Sequence, residues 1–166
     1  MIHGVDLRPA RPDDVPAVGA IWAAGWRDGH LGHVPDALVA VRTPESFRVR
    51  AAHLVADTTV AVVDGEIAGF VTVTSDEVEQ VFVAAHQRGT GVAGQLLGEA
   101  ERQVAAAGHA RAWLAVVLGN ARARRFYERS GWADDGGFDL EIEQGGTAIA
   151  VPCRRYVKDL PQSSPS

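Results

Sequence analysis

The chain has 166 residues, of which 46 % are hydrophobic and 22 % charged, and a formal net charge of −5. That length and balance favour one folded domain with a proper core, residues 1–160, and a short polar tail, residues 161–166, expected to be disordered. The acidic surface lacks the electrostatic footprint of a nucleic-acid or anionic-membrane binder, so neither partner is expected.

No apolar stretch reaches the roughly 18 residues needed to cross a bilayer. The segment Met1 to Leu7 lacks the basic and apolar blocks of a signal peptide. A cytoplasmic location is therefore expected. Cys153 is the single cysteine, which removes a disulfide framework and a cysteine-based zinc site. His30 and His33 are too sparse a pair for a metal centre, and no metal is expected.

Val5 to Arg8 reads as a first strand. Pro9 to Pro12 breaks the chain, and Asp13 or Asp14 can cap a helix carrying Val15, Val18, Ile21, Trp22 and Trp26 at helical spacing. Gly29, Gly32 and Pro35 end that helix and open an irregular stretch. A second helix starts near Thr43-Pro44 and runs to about Ala56. Thr59–Val63 and Ile67–Thr74 flank Asp64-Gly65, a strong hairpin signal, and Val78–Val83 makes a further strand. Val92, Leu96, Leu97, Ala100 and Val104 form a helical stripe that stops at Gly108. Ala112–Leu118 is an unalternating apolar run, as in a central strand buried on both faces. A short helix over 120–130 and two strands, Phe138–Ile142 and Ala148–Val157, close the chain. The expected order is βααβββαβαββ, a mixed α/β fold.

The most informative segment is Arg88-Gly89-Thr90-Gly91-Val92-Ala93-Gly94, between a strand and a helix. Glycines there let a ligand approach the backbone, and the unpaired N–H groups of the helix start suit a diphosphate. Gly89, Gly91 and Gly94 also spell the dinucleotide pattern G-x-G-x-x-G. Its context is poor. Ala84 to Gln87 separate loop from strand, and the acidic ribose ligand expected about 20 residues later is missing, since Trp113 to Val117 are apolar.

The same residues, read as R-G-x-G-x-A, resemble the coenzyme A signature Q/R-x-x-G-x-G/A of the GCN5-related N-acetyltransferases (GNAT). A second segment, Asn120 to Trp132, is similar to that family's N-x-x-A-x-x-F-Y-x-x-x-G-F pattern, with Trp132 for the usual phenylalanine. The resemblance spans nearly the whole chain. It implies a largely antiparallel central sheet flanked by helices, and acetyl-CoA as cosubstrate. It also implies acetyl transfer to a primary amine of a small molecule or peptide by direct attack. A non-catalytic acyl-CoA-sensing domain on the same fold is the alternative.

The resemblance also assigns roles. Residues 88–94 would hold the diphosphate, and Val81, Phe82 and Val83 would pair with the pantetheine arm like an added strand. Asn120 and Phe126 would flank the cofactor. Tyr127 would act as general acid toward the departing thiolate, since a phenol stays protonated at neutral pH. Glu79, with Glu77 two residues earlier or a water as alternatives, would take the amine proton. Trp26 and His30 would border the acceptor, although Trp22 and Trp26 would equally suit the core. Arg122, Arg124, Arg125 and Arg129 form a basic run that is mostly a solvated face, one of which could reach the 3′-phosphate. His86 reads as an exposed loop histidine. The acidic net charge leans toward a cationic acceptor, and family members often form homodimers.

Overall fold

In a computed structural model, which describes residues 4–161, the apolar runs around Asp64-Gly65 form the expected hairpin. Asp64 and Gly65 both have positive φ, +52° and +78°, as a two-residue turn between twisted strands requires. The hairpin joins β2 (Thr58–Val63) to β3 (Glu66–Thr74). The other strands are β1 (Asp6–Pro9), β4 (Glu77–Val83), β5 (Arg111–Val117), β6 (Ala133–Gln144) and β7 (Thr147–Asp159). They form one seven-stranded sheet in the order β1-β2-β3-β4-β5-β7-β6, antiparallel everywhere except between β4 and β5. A doubly wound parallel sheet is thereby excluded, and with it the dinucleotide-binding unit that G-x-G-x-x-G suggests.

The helices are α1 (Val15–His30), α2 (Asp36–Val41), α3 (Pro44–His53), α4 (Val92–Ala106) and α5 (Ala121–Arg129). One helix, α2, lies in the stretch read as irregular. It is six residues long and buries only Leu38, too little apolar periodicity to register in sequence. Strand β6 also starts five residues earlier than expected, at Ala133, because a register slip between Asp134 and Gly137 extends the pairing around a glycine pair. Of the tail expected to be disordered, residues 162–166 lie outside the described residues.

Helices sit on both faces. One core packs α4 and α5 on the sheet through Leu96, Leu97, Leu114, Tyr127 and Tyr156; the other packs α1 to α3 through Trp22, Trp26, Leu38, Phe47 and Phe70. Trp22 and Trp26 lie one turn apart and share Phe47, at centroid distances of 5.6 and 5.7 Å. Both are buried in this core.

Two local features shape the site. First, β4 and β5 pair only at Glu77 and Trp113, so the strands part along the rest of β4. Second, Thr72 pairs with Gln80 but Val73 with Val78, which leaves Glu79 as the extra residue of a β-bulge. Bulges re-aim side chains and bend the strand, so β4 is not flat where its carboxylates lie.

Candidate active site

Where β4 leaves β5, a cavity of about 520 Å³ opens. Its walls come from both cores. Tyr127, Leu114 and Val116 belong to the α4/α5 face, while Trp22, Trp26, Leu38, Val151 and Cys153 belong to the α1–α3 face. The space therefore passes through the gap in the sheet, and two reactants can meet from opposite sides.

At one end lies the glycine-rich loop. Arg88, Gly89, Gly91 and Ala93 line the cavity. Gly91 is the N-cap of α4 with φ +92°, a left-handed conformation that glycine adopts without strain. The first helical bond of α4 runs from the Gln95 N–H to the Gly91 carbonyl. The N–H groups of Val92, Ala93 and Gly94 precede it, and no side chain caps them. A Cβ placed on Gly89, Gly91 or Gly94 would meet nothing within 4 Å. Open space, free donors and the positive helix end fit an anionic group such as a diphosphate.

Not every residue of the loop faces the cavity. The Thr90 hydroxyl turns back to the Gln87 carbonyl, at 2.5 Å, and the Val92 side chain is buried in the core. Thr90, Val92 and Gly94 can thus offer only backbone. Arg88 reaches across to Asp28 of α1, Nη2 to Oδ2 2.6 Å, tying the loop to the opposite wall. Arg122 and Arg129 line the cavity, whereas Arg124 is engaged elsewhere, donating to the Tyr156 hydroxyl and the Leu118 carbonyl.

Along the middle, Val81, Phe82 and Val83 pair with Val71, Phe70 and Gly69 on one side only. Their other edge faces the gap, where an extended ligand can pair as a strand would. Helix α1 closes over this point. A Cβ on Gly25 would run into the Phe82 ring, and one on Gly29 would lie 2.6 Å from Asn120 Nδ2. Asn120 also caps α5, its Oδ1 accepting from the Ala123 N–H at 3.2 Å. Cap and wall are one side chain.

Tyr127 and Phe126 both line the cavity. The Tyr127 ring packs against Phe126, Trp132 and Tyr156, at centroid distances of 5.2, 6.3 and 6.1 Å. Its hydroxyl has no hydrogen-bond partner among the described residues. Burial pushes this phenol above the usual tyrosine range, so it stays protonated as an acid must.

Glu77 and Glu79 line the cavity at the start of β4. Glu79 accepts a hydrogen bond from the Thr74 hydroxyl at 2.9 Å. Burial raises the Glu77 carboxyl above its ordinary value, with Glu79 and Asp76 adding to the effect. The pair shares one environment despite the bulge. His86 is exposed and stays outside the cavity.

His30 stacks on Trp26, with centroids 4.8 Å apart and 9° between planes. Its Nδ1 lies 2.8 Å from the Trp26 carbonyl, so the neutral ring donates there and leaves Nε2 as an acceptor. Burial lowers its pKa to about 4. Below the unfolded value near 6.5 the unfolded chain takes a proton that the folded one refuses. Stability is thus full above pH ~6.5 and falls as pH drops toward about 4, by up to about 1.4 kcal/mol per pH unit. A His30→Gln variant should flatten this slope in urea unfolding at pH 7 and pH 5. An unaltered slope would mean that His30 does not carry it.

Sequence reasoning missed a further group of wall residues: Arg42 at the end of α2, Arg50 on α3, and Leu140 and Ile142 on β6. An arginine on a helix normally reads as solvated, and only the tertiary packing turns these two inward.

Comparison with known proteins settles the lineage. The profile of the acetyltransferase (GNAT) family matches residues 20–132. The chain belongs to the GNAT acetyltransferase family. The match includes the glycine-rich loop, β4, and α5 with Asn120 and Tyr127. Among curated proteins, none matches. Solved structures share the fold over nearly the full length. An N-acetyltransferase from Staphylococcus aureus Mu50 superposes with a TM-score of 0.73 at 19 % identity, covering 95 % of this chain and 99 % of that one. PaiA N-acetyltransferase from Thermoplasma acidophilum, solved with coenzyme A, gives 0.70 at 14 % identity, covering 94 % and 99 %. YncA from Salmonella typhimurium, solved with acetyl-CoA, gives 0.67 at 14 % identity, covering 98 % of each. The GNAT sheet is thus present as anticipated. Among the described residues no helix is long and apolar enough to cross a membrane, and no cluster of three or more metal-ligating side chains occurs.

Proposed function

We propose that this acetyltransferase moves an acetyl group from acetyl-CoA to a primary amine of a small molecule or peptide by direct attack. The single observation that carries this is the cavity through the β4/β5 gap, with the glycine loop at one end and Tyr127 beside it. Bound acetyl-CoA would supply the activated thioester. Backbone donors of Val92, Ala93 and Gly94 bind its diphosphate, and the free edge of Val81 to Val83 orients the arm. A β4 N–H on that edge polarises the thioester carbonyl.

Glu79 accepts the proton that the amine must lose before its lone pair can attack, directly or through water. Glu77 is the alternative acceptor, because its raised pKa brings it closer to that task. As the new C–N bond forms and the C–S bond breaks, the electron pair leaves on sulfur, and Tyr127 protonates it. Water or Glu79 then returns the proton to Tyr127. His30 holds the acceptor wall and, being neutral, adds no charge there.

A thermal-shift titration with acetyl-CoA, CoA and NAD in parallel tests the cofactor. Both coenzyme A species should raise Tm by mass action, and NAD should not. Stabilisation by NAD alone would reject this function. A shift with coenzyme A but no thiol release from any amine would favour the acyl-CoA-sensing reading instead.

A further inference from the structure

The α1–α3 end of the cavity holds positive charge that the protein does not neutralise. Arg42 and Arg50 both line it, and both are half-buried. Neither guanidinium has an ion pair or hydrogen bond among the described residues. Arg50 lies over the Trp22 ring, its Cζ 4.3 Å from the centroid, a cation–π contact. Burial lowers the Arg50 pKa to about 10, and the charge of Arg42 in the same wall adds to the effect. Bringing two like charges together without a counter-charge is costly, and such sites generally await an anion. A third donor in the same wall is also unused: Trp22 Nε1 is buried without an acceptor.

The opposite charge is near but separate. Glu79 contributes a favourable field at Arg50 without touching it, and Glu77 adjoins Glu79. The cavity therefore carries both signs of charge, carboxylates from β4 and guanidiniums from the α2 and α3 side, and Leu38, Leu140, Ile142 and Val151 add apolar wall. Arg88, Arg122 and Arg129 belong to the loop and α5, so they serve the cofactor end and leave Arg42 and Arg50 to the acceptor.

We propose that Arg42 and Arg50 form a carboxylate subsite, and that the acceptor is an amino acid whose amine faces Glu79 while its carboxylate binds the two guanidiniums. This rests on the acetyl-transfer reading above. It also reverses the lean toward a cationic acceptor that net charge alone suggests, because the local field of the cavity differs from that of the whole surface.

The test is thiol release from acetyl-CoA with the twenty standard amino acids, their α-amides and their decarboxylated amines. At least one amino acid should exceed its own amide and amine in kcat/KM by about tenfold or more. With that acceptor, Arg42→Gln and Arg50→Gln should each raise its KM by about tenfold or more, change KM for the amide much less, and leave KM for acetyl-CoA in place. Arg50→Lys should recover part of the loss. Because Arg50 packs on Trp22, the acetyl-CoA thermal shift of each variant reports whether it is folded, and Arg42→Gln stands in if Arg50→Gln is not.

Thiol release without preference for any carboxylate over its uncharged counterpart overturns the subsite and leaves acetyl transfer standing. No thiol release from any amine overturns acetyl transfer and the subsite together.

Discussion

Replacing Tyr127 with phenylalanine should lower kcat at least about tenfold while acetyl-CoA affinity holds, since a positioned general acid contributes about 10²–10⁴-fold. The substitution removes one oxygen and nothing else from the packing. That hydroxyl bonds to no described residue, and the ring contacts with Phe126, Trp132 and Tyr156 survive in phenylalanine. The variant therefore separates chemistry from structure, as a truncation to alanine would not. Burial holds the phenol protonated, so the wild-type rate should show no decline from loss of this proton below about pH 10. Stopped-flow or steady-state thiol detection gives kcat, and titration gives affinity. Unchanged kcat would reduce Tyr127 to a packing residue and return the proton transfer to water.

The second large effect is expected at Gly91. Gly91→Leu should abolish the coenzyme A-induced rise in Tm, which for the parent at 100-fold excess over Kd corresponds to about 2.7 kcal/mol. In a domain of this size that is a shift of roughly 5–10 °C. Two causes act together. A left-handed φ of +92° costs an L-residue about 1–2 kcal/mol, so the loop relaxes away from its shape. The leucine side chain also enters the open space in front of the α4 N-terminus, where nothing now lies within 4 Å of a Cβ. A modest fall in the unliganded Tm should accompany the loss. If the ligand-induced rise persists, the diphosphate binds elsewhere.

What the sequence disclosed, and what it hid, divides along physical lines. The glycine-rich loop and the Asp64-Gly65 turn were legible because each depends on local backbone chemistry written in a few adjacent residues. Helix α4 was legible because its buried residues repeat at helical spacing. The α2 helix was not, because a six-residue segment that buries one leucine carries no period. The bulge at Glu79 and the parting of β4 from β5 arise from how strands pair, and no residue within β4 announces them. Arg42 and Arg50 are the sharpest case. Their inward placement depends on α2 and α3 sharing one core with α1 and β3, a long-range arrangement invisible from either helix. Within residues 88–94 the side chains of Thr90 and Val92 turn away from the cavity, a detail set by the fold and not by the local pattern.

The unpaired edge of β4 has a consequence for solubility. An exposed strand edge ordinarily invites another chain to add to it, and proteins blunt such edges with charge, proline or cover. Here the edge lies inside the sheet, with β5 across the gap, α5 beside it and α1 closing over Phe82. A second polypeptide strand would have to enter between β4 and β5, beneath α1, to reach it. The fold thereby keeps a strand-like recognition surface available without leaving a template for aggregation.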